Sequence, residues 1–249
     1  MVRTLAFLYG VISYLVFFVT FLYAIGFVGN LFVPKGIDNG PQAATFTRGL
    51  IMNLILLSIF AIQHSVMARP AFKRWWTKII PQPIERSTFV LLSSLALVLL
   101  FWQWRSMPDA VWTVNNQIGR CVIWTGFSLG WVMVLISTFL INHFDLFGLR
   151  QVYAYQRGEE YQQIGIVKPF LYKWVRHPIM LGFIIAFWAT PQMTVGHLLF
   201  AVVTTVYILV AIQIEERDIV SIHGEAYEDY RREVSMILPM PKKKRSASV

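Results

Sequence analysis

The chain has few charged residues and almost no cysteine. Of its 249 residues, 14% are charged and 56% are hydrophobic, and the mean hydropathy is +0.56. A soluble globular protein needs more polar surface than this composition supplies, so the soluble class is excluded. Cys121 is the single cysteine, which excludes an internal disulfide and a cysteine-based metal cluster. We expect its thiol to be buried as a small apolar group, because it lies in an apolar run.

Long stretches without charged residues dominate the chain. They cover residues 4–34, 49–68, 87–104, 121–142 and 178–214. Each is close to or longer than the roughly 20 residues that cross a bilayer as a helix. The first run is longer than the apolar core of a signal peptide and no small-residue cleavage site follows it, so we expect a retained helix. The sequence therefore predicts an integral membrane protein.

Basic residues are distributed unevenly among the predicted loops. Eighteen of the 22 Lys and Arg residues lie at the N-terminus, in the second and fourth loops and in the tail, and the other four are Lys35, Arg48, Arg105 and Arg120. Cytoplasmic loops carry the excess of basic residues, so both termini are expected to face the cytoplasm. Because the net charge of +9 follows the loops in this way, we expect no nucleic-acid partner.

Two cytoplasmic termini require an even number of crossings. Four clear helices then leave the fifth run to form a hairpin, with a break at Thr190-Pro191. Beyond it, Ile219, Ile222, Ala226 and Tyr230 recur at helical spacing and predict an amphipathic helix from Glu215 to Tyr230. The predicted fold class is an all-α integral membrane protein, with four spanning helices plus a C-terminal helical hairpin and an amphipathic cytoplasmic tail helix.

Ionisable residues cluster at both mouths of the predicted hairpin. Arg176-His177 opens it and Glu215-Glu216 closes it, so the hairpin brings both pairs to one membrane face. Charged groups at a bilayer edge are costly unless they are paired or hydrated, which predicts a pocket for a polar ligand. A bare interfacial salt bridge is the alternative. The loop over 142–177 is too long for a simple connector and is expected to cover this pocket.

Three spaced motifs carry a resemblance to a known family. The segment YKWVRHPIMLG at 172–182 is followed by Glu215-Glu216 and by GEAYEDY at 224–230. Together they resemble the C-terminal half of the integral membrane methyltransferases, which include isoprenylcysteine carboxyl methyltransferases and phospholipid methyltransferases. Met180 stands where that family often has Tyr, and SMILP at 235–239 replaces the usual proline-arginine ending.

The N-terminal half narrows the resemblance. QHSVMARP at 63–70 is similar to the NnrU-type branch, and FWQWR at 101–105 with NHFDLFG at 142–148 is closer still to the bacterial methanethiol S-methyltransferases. The resemblance implies a bacterial inner-membrane enzyme with a cytoplasmic site that methylates methanethiol with S-adenosylmethionine, releasing dimethyl sulfide and S-adenosylhomocysteine. It also implies a single membrane domain over 1–249, with a four-helix part (1–141), a cofactor-binding part (142–239) and a basic tail (240–249).

The residue chemistry fits the implied cofactor. A guanidinium fork at Arg176 can pair with the cofactor carboxylate, and Glu215 or Glu216 can accept from ribose hydroxyls or the ammonium group. His177 can donate to the carboxylate or adenine, and aromatic side chains can form a wall with a polar edge. The expected cofactor-binding residues are Tyr172, Arg176, His177, Met180, Glu215, Glu216 and Tyr227.

Methyl transfer to sulfur is an in-line displacement that needs alignment, exclusion of water and no metal. A neutral thiol is a poor nucleophile, so a base is expected; His143 and Asp145, two residues apart at a helix end, are the candidates. The expected substrate-binding residues are His64, Asn142, Phe144 and Phe147. Structural alternatives remain open, because His64 can be a hydrogen-bonded packing group and His143 with Asp145 can be a helix cap.

The sequence leaves several alternatives open for the substrate and for the function. The substrate can be another thiol, an isoprenylcysteine or a phospholipid, and an NnrU-like carrier or assembly protein is the non-enzymatic alternative. The intact Arg-His and Glu-Glu pairs favour the enzyme, since a transporter is expected to place polar groups near the bilayer midplane. Glu85-Arg86-Ser87 predicts only a helix start with a local ion pair. The oligomeric state stays open.

Overall fold

The computed structural model describes residues 1–162, 165 and 168–239, and most of them are helical. The helices are α1 (Val2–Gly29), α2 (Phe46–Ala68), α3 (Pro70–Trp76), α4 (Glu85–Gln103), α5 (Gln117–Ile141), α6 (His143–Leu146), α7 (Leu149–Arg157), α8 (Pro178–Trp188), α9 (Val195–His223) and α10 (Glu225–Glu233). Two 3-10 turns cover Gln82–Ile84 and Phe170–Lys173. The predicted basic tail, residues 240–249, lies outside the described residues.

Five helices are long and apolar enough to cross a membrane. They are α1, α2, α4 with the turn before it, α5 and α9. Many of their large apolar side chains point away from the protein, as expected for helices that contact lipid. The prediction of a mostly helical integral membrane protein is confirmed.

The short helix α8 packs along α5 and turns back into α9. α8 has 11 residues, and the predicted break at Thr190-Pro191 lies between its end and the start of α9. Gly130 and Gly182 let the α5 and α8 backbones approach closely, because a Cβ on Gly182 would lie 2.7 Å from the Gly130 carbonyl oxygen. The hairpin arm is thus fixed against a spanning helix by small residues.

A two-stranded ribbon corrects the prediction of an entirely α-helical chain. β1 (Ala110–Thr113) pairs antiparallel with β2 (Gln192–Thr194), the segment that leads into α9. At this same end, Asp38 accepts hydrogen bonds from Asn30 and Thr194. Buried His197 lies close by, and its Nε2 donates to the Phe187 carbonyl oxygen at 2.9 Å. These contacts give His197 a structural role.

The tail is not one helix from Glu215 to Tyr230, so that part of the prediction is wrong. α9 continues through Glu215 and Glu216 to His223, and Gly224, with a positive φ of 57°, separates it from α10. A left-handed backbone favours glycine, which explains why the break falls there. Tyr227 and Tyr230 on α10 are buried against the end of α9. α10 therefore packs on the protein.

Cys121 is exposed on α5, so its predicted burial is wrong. It belongs to the first turns of a helix that is long enough to span, and Val122 beside it is also exposed. Apolar sequence around a residue predicts burial only in a soluble protein, because lipid replaces protein as the apolar surroundings of a spanning helix.

Candidate functional site

The predicted motifs meet around the carboxylate of Glu216 at the C-terminal end of α9. Arg176 Nε donates to Glu216 Oε1 at 2.7 Å, and His177 Nε2 lies 3.0 Å from the same oxygen. The Tyr227 hydroxyl reaches it at 3.4 Å, and Arg231 Nε is 3.1 Å from Oε2. The Glu216 side chain is only 2% exposed. We call this group, Arg176, His177, Glu216, Tyr227 and Arg231, the Glu216 clamp.

The clamp also holds the end of the described chain. The backbone N–H groups of Arg176 and His177 donate to the carbonyl oxygens of Ser235 and Met236. The Arg176 side chain donates from one terminal nitrogen to the carbonyl oxygens of Val234 and Arg231. Arg176 is therefore engaged on several sides by the protein, and the geometry does not support its predicted role as the partner of a cofactor carboxylate.

Glu215 differs sharply from its neighbour. Consecutive residues on a helix point about 100° apart, so Glu215 faces away from the clamp. It is half-buried, and within the described part of the chain its carboxylate forms no ion pair or hydrogen bond. Its charge still acts on the phenols of Tyr172, Tyr207 and Tyr227. Glu215 is thus a carboxylate near the predicted aromatic wall that none of the described residues pairs with.

Three tyrosines stand beside the two glutamates. Tyr230 donates to the Tyr172 carbonyl oxygen at 2.6 Å, and the Tyr172 hydroxyl lies 3.4 Å from the Ser137 carbonyl oxygen on α5. Burial raises the pKa of Tyr172 and of Tyr227, and it raises the pKa of Tyr230 to about 12. All three phenols stay protonated at neutral pH, and each donates its proton within the protein, which leaves the phenol oxygens as acceptors.

Met180 lies outside the clamp. It packs in an apolar cluster with Ile208, Ile212 and Ile237. Its predicted place among the cofactor-binding residues is therefore not supported by its contacts. The cluster joins α8 to α9 and to the chain after α10, so Met180 contributes to the frame that holds the clamp.

His143 is buried between α1 and α5. Its Nδ1 lies 2.8 Å from Thr138 Oγ1, and its Nε2 lies 2.9 Å from the Tyr14 hydroxyl. Thr138 gives its own proton to the Leu135 carbonyl oxygen, so it accepts from Nδ1–H and leaves Nε2 as the acceptor from Tyr14. Burial lowers the pKa of the imidazole. His143 is therefore a neutral imidazole with its basic nitrogen covered by one phenol.

Asp145, the other candidate for the base, does not pair with His143. Its carboxylate accepts from the Tyr161 hydroxyl at 2.8 Å and lies 3.6 Å from Arg150. Burial, with the hydrogen bond to Asp145, raises the pKa of Tyr161 to about 12. Asp145 thus joins α6 to α7 and to the loop that follows it, which agrees with a covering role for that loop.

The predicted substrate residues fall in different surroundings. Asn142 accepts from the Asp145 backbone N–H and begins α6, which is the capping alternative for this segment. Phe144 is 52% exposed, while Phe147 stacks on Phe17 with ring centres 3.8 Å apart. His64 lies 3.2 Å from Ser93 Oγ and stacks against Phe60.

An open groove of about 710 Å³ runs beside His143. Its walls are the end of α5, the start of α6 and Lys168-Pro169 from the covering loop. Lys168 lies over the Tyr230 ring, with its Nζ 4.7 Å from the ring centre. The groove therefore extends from the predicted base toward the C-terminal tyrosines, and its apolar rim suits an apolar molecule arriving from lipid.

Two residues at the site were missed by the sequence reasoning. Tyr14 caps the His143 imidazole from α1, and nothing near it in the sequence marks it. Arg86 does not form the expected local ion pair with Glu85; instead its Nε donates to the Leu146 carbonyl oxygen at 2.7 Å. Its position inside the apolar span at 82–103 is a usable signal, since charged residues in such spans are rare and functional.

Comparison with known proteins identifies close relatives over nearly the whole chain. The model of the family described as NnrU protein matches residues 52–236. The chain is 60% identical to a methanethiol S-methyltransferase of Mycobacterium tuberculosis, over 97% of this chain and 98% of the relative. It is 55% identical to that of Crocosphaera subtropica, over 97% and 94%. Methanethiol S-methyltransferase 1 of Bradyrhizobium diazoefficiens is also 55% identical, over 95% and 83%. No solved structure matches the chain.

Proposed function

The chain belongs to the NnrU family and to the methanethiol S-methyltransferases, and from this premise we propose that it methylates methanethiol with S-adenosylmethionine. The observation that carries the proposal is the 60% identity that extends over 98% of a relative with this name. The products are dimethyl sulfide, S-adenosylhomocysteine and a proton. A bond forms between the thiol sulfur and the methyl carbon, and the bond from that carbon to the sulfonium sulfur breaks with its electron pair left on sulfur.

The residues present fit S-adenosylmethionine. When bound, it supplies a methyl group made electrophilic by a sulfonium centre. Glu215 is a half-buried carboxylate without a protein partner in the described ranges, and it suits an ammonium group or ribose hydroxyls. Tyr172 and Tyr227 are buried, protonated phenols beside it that suit the polar edge of a base or ribose. Opposite charge and aromatic surface thus meet at one end of α9.

We assign different roles to the two glutamates. The Glu216 clamp, with Arg176 and His177, fixes α8, α9 and α10 against one another and so orients Glu215 and the tyrosines. Replacing His177 by Ala removes one contact to Glu216 and is expected to abolish binding of S-adenosylmethionine. His223→Ala is the matched control, because His223 is exposed at the end of α9, the helix that carries Glu216. Loss of binding in both variants would refute the assignment.

We propose His143 as the group that takes the thiol proton. A base must be neutral before it acts, and burial keeps this imidazole neutral. Its Nε2 becomes free when the Tyr14 hydroxyl turns away, and the groove at His143 gives a small thiol access. Phe144 and Phe147 flank His143 in the ring contacts and exclude water. His143→Ala should preserve cofactor binding and slow turnover, and lost binding would contradict this role.

For the membrane arrangement, we propose that both termini and the site face the cytoplasm of a bacterial inner membrane. The excess of basic residues on that side supports it. Because α1, α2, α4, α5 and α9 supply five crossings, an even number requires α8, with the residues that link it to α9, to take the chain across a sixth time. α10 then lies at the cytoplasmic interface against α9. The tripartite division at 141 and 239 is part of the same proposal, with residues 142–239 supplying most of the cofactor site.

The reaction is tested by measuring dimethyl sulfide in the headspace over membranes that contain the protein. Formation that requires both methanethiol and S-adenosylmethionine, and that is absent from empty-vector membranes, is the expected result. No product, with labelled S-adenosylmethionine still bound, would refute the thiol substrate and retain a methyltransferase. No product and no binding would refute the enzyme and favour a carrier.

A further inference from the structure

The Arg86 guanidinium is a half-buried donor that the described part of the chain only partly satisfies. One edge is fixed, because Nε donates to the Leu146 carbonyl oxygen at 2.7 Å. One face lies over the Phe89 ring, with the guanidinium carbon 5.1 Å from the ring centre. Among the described residues, no hydrogen-bond or ion-pair partner is found for the two terminal nitrogens. The side chain is thus held in place with its terminal fork open.

Acidic groups surround this fork without binding it. Glu85, the residue before it on α4, acts on Arg86 most strongly, and Asp145, Tyr161 and Glu215 are also within electrostatic reach. Asp145 is already bound to Tyr161 and lies near Arg150. Glu215 has no ion pair in the described part of the chain, and its distance from Arg86 exceeds that of a direct salt bridge. Two opposite charges therefore face one region and remain apart.

Neighbouring basic residues do not explain the arrangement. Arg69, at the end of α2, forms its own ion pair with Asp218 at 2.8 Å. Lys73 on α3 is a partly buried ammonium, and burial lowers its pKa. A half-buried guanidinium whose terminal nitrogens have no partner leaves hydrogen-bond donors unused, which is unfavourable. A ligand that carries both charges would satisfy Arg86 and Glu215 together.

We propose that Arg86 and Glu215 bind the two ends of an α-amino-acid group, Arg86 its carboxylate and Glu215 its ammonium. The inference rests on the proposed function, which supplies such a group as the methionine end of S-adenosylmethionine. A guanidinium fork matches a carboxylate with two parallel hydrogen bonds. Arg86 is held by α4 and α6, so binding also joins the covering segment to α9. This assigns to Arg86 the contact that sequence reasoning gave to Arg176.

The test compares two nucleosides that differ in this group. S-adenosylhomocysteine carries the amino-acid end, whereas 5′-methylthioadenosine keeps the adenine, ribose and thioether without it. Calorimetry on the purified full chain in detergent gives both dissociation constants without any turnover. Arg86→Gln and Glu215→Gln should each weaken S-adenosylhomocysteine binding by about 10- to 100-fold, as expected for a lost charge-assisted hydrogen bond. Binding of 5′-methylthioadenosine should not change.

Conservative and control variants sharpen the comparison. Arg86→Lys keeps the charge and loses the fork, so it should restore only part of the affinity. Arg74→Gln on α3 removes an exposed positive charge and is the control for Arg86→Gln, and Glu225→Gln on α10 removes an exposed negative charge and is the control for Glu215→Gln. Neither control should alter the preference for S-adenosylhomocysteine. These controls separate a local contact from a change in overall charge.

The outcomes are distinguishable. Equal weakening of both nucleosides by Arg86→Gln would overturn the inference, because it would mean that Arg86 only supports the fold through Leu146. Unchanged affinity with a raised KM for methanethiol would also overturn it and would place the thiolate at Arg86. If the unmodified protein binds neither nucleoside, the proposed function fails and this inference fails with it.

Discussion

Glu216 and Glu215 are adjacent carboxylates, and we expect the removal of Glu216 to destabilise the protein and the removal of Glu215 to leave its stability almost unchanged. Glu216→Ala deletes the acceptor for Arg176 Nε at 2.7 Å and the ion-pair partner of Arg231 at 3.1 Å. The Arg176 side chain is 6% exposed, so its charge cannot be rehydrated without local opening. Breaking a buried pair from one side in this way costs about 3–5 kcal/mol.

The effect is measured as the thermal unfolding midpoint of the purified protein in detergent. For a chain of this size, a loss of that magnitude lowers the midpoint by about 6–20 °C. Glu215→Ala is the matched control, since it removes the same side chain one residue away without breaking an ion pair. Its free energy of unfolding should stay within about 0.5 kcal/mol of the unmodified value.

The comparison can refute the reasoning directly. Equal destabilisation by both alanine variants would show that Glu216 is not the centre of a structural clamp. A stable Glu216→Ala protein that has lost S-adenosylhomocysteine binding would show that Glu216 is itself a ligand. The expected pattern is the reverse, in which Glu215→Ala unfolds normally and loses affinity.

Two further predictions concern packing and pH. Gly182→Ala should cost about 1–3 kcal/mol of stability in the same unfolding assay, because its Cβ would lie 2.7 Å from the Gly130 carbonyl oxygen. Gly126→Ala is the control and should be tolerated, since its Cβ would meet only Ala189 at 3.7 Å. Equal losses of stability in the two variants would contradict the close approach of α5 and α8. The pKa of His143 in the folded protein is below its ordinary 6.5, so the unfolded chain takes up a proton at this residue first and stability falls as the pH drops below about 6.5. A His143→Gln protein should lose less stability over the same pH range. Parallel curves of stability against pH for the two proteins would exclude this contribution of His143.

The meeting of Arg176-His177 with the Glu215-Glu216 pair could be predicted from the sequence. Charges bracket one long apolar run, and a break at Thr190-Pro191 returns the chain to the same face. Which glutamate is engaged could not be predicted, because it depends on where α10 packs. That packing is set by the backbone turn at Gly224, and the predicted continuous tail helix overlooked it.

The roles of His143, Asp145 and Arg86 were harder to anticipate for a common reason. His143 and Asp145 are two residues apart and were both candidates for the base, but a short helical turn directs His143 to Tyr14 on α1 and Asp145 to Tyr161 in the loop after α7. Arg86 was assigned to Glu85 because the two are adjacent in sequence. Its partner Leu146 is 60 residues away, and such contacts follow from tertiary packing that local pattern does not contain.

These contacts indicate that the residues of the family motif hold the structure together and that other residues bind the ligand. The residues that make the family motif recognisable are those whose polar atoms are most completely used by the protein: Arg176, His177 and Glu216 bind one another and the backbone of the tail. A site that must hold charged groups at the edge of a bilayer needs such a rigid frame, because unpaired charges there are costly. Glu215 and Arg86, from two helices distant in sequence, have no ion-pair partner among the residues that the structure describes. Ligand binding therefore completes the charge pairing that folding leaves open, and it should stabilise the protein only while both groups are present.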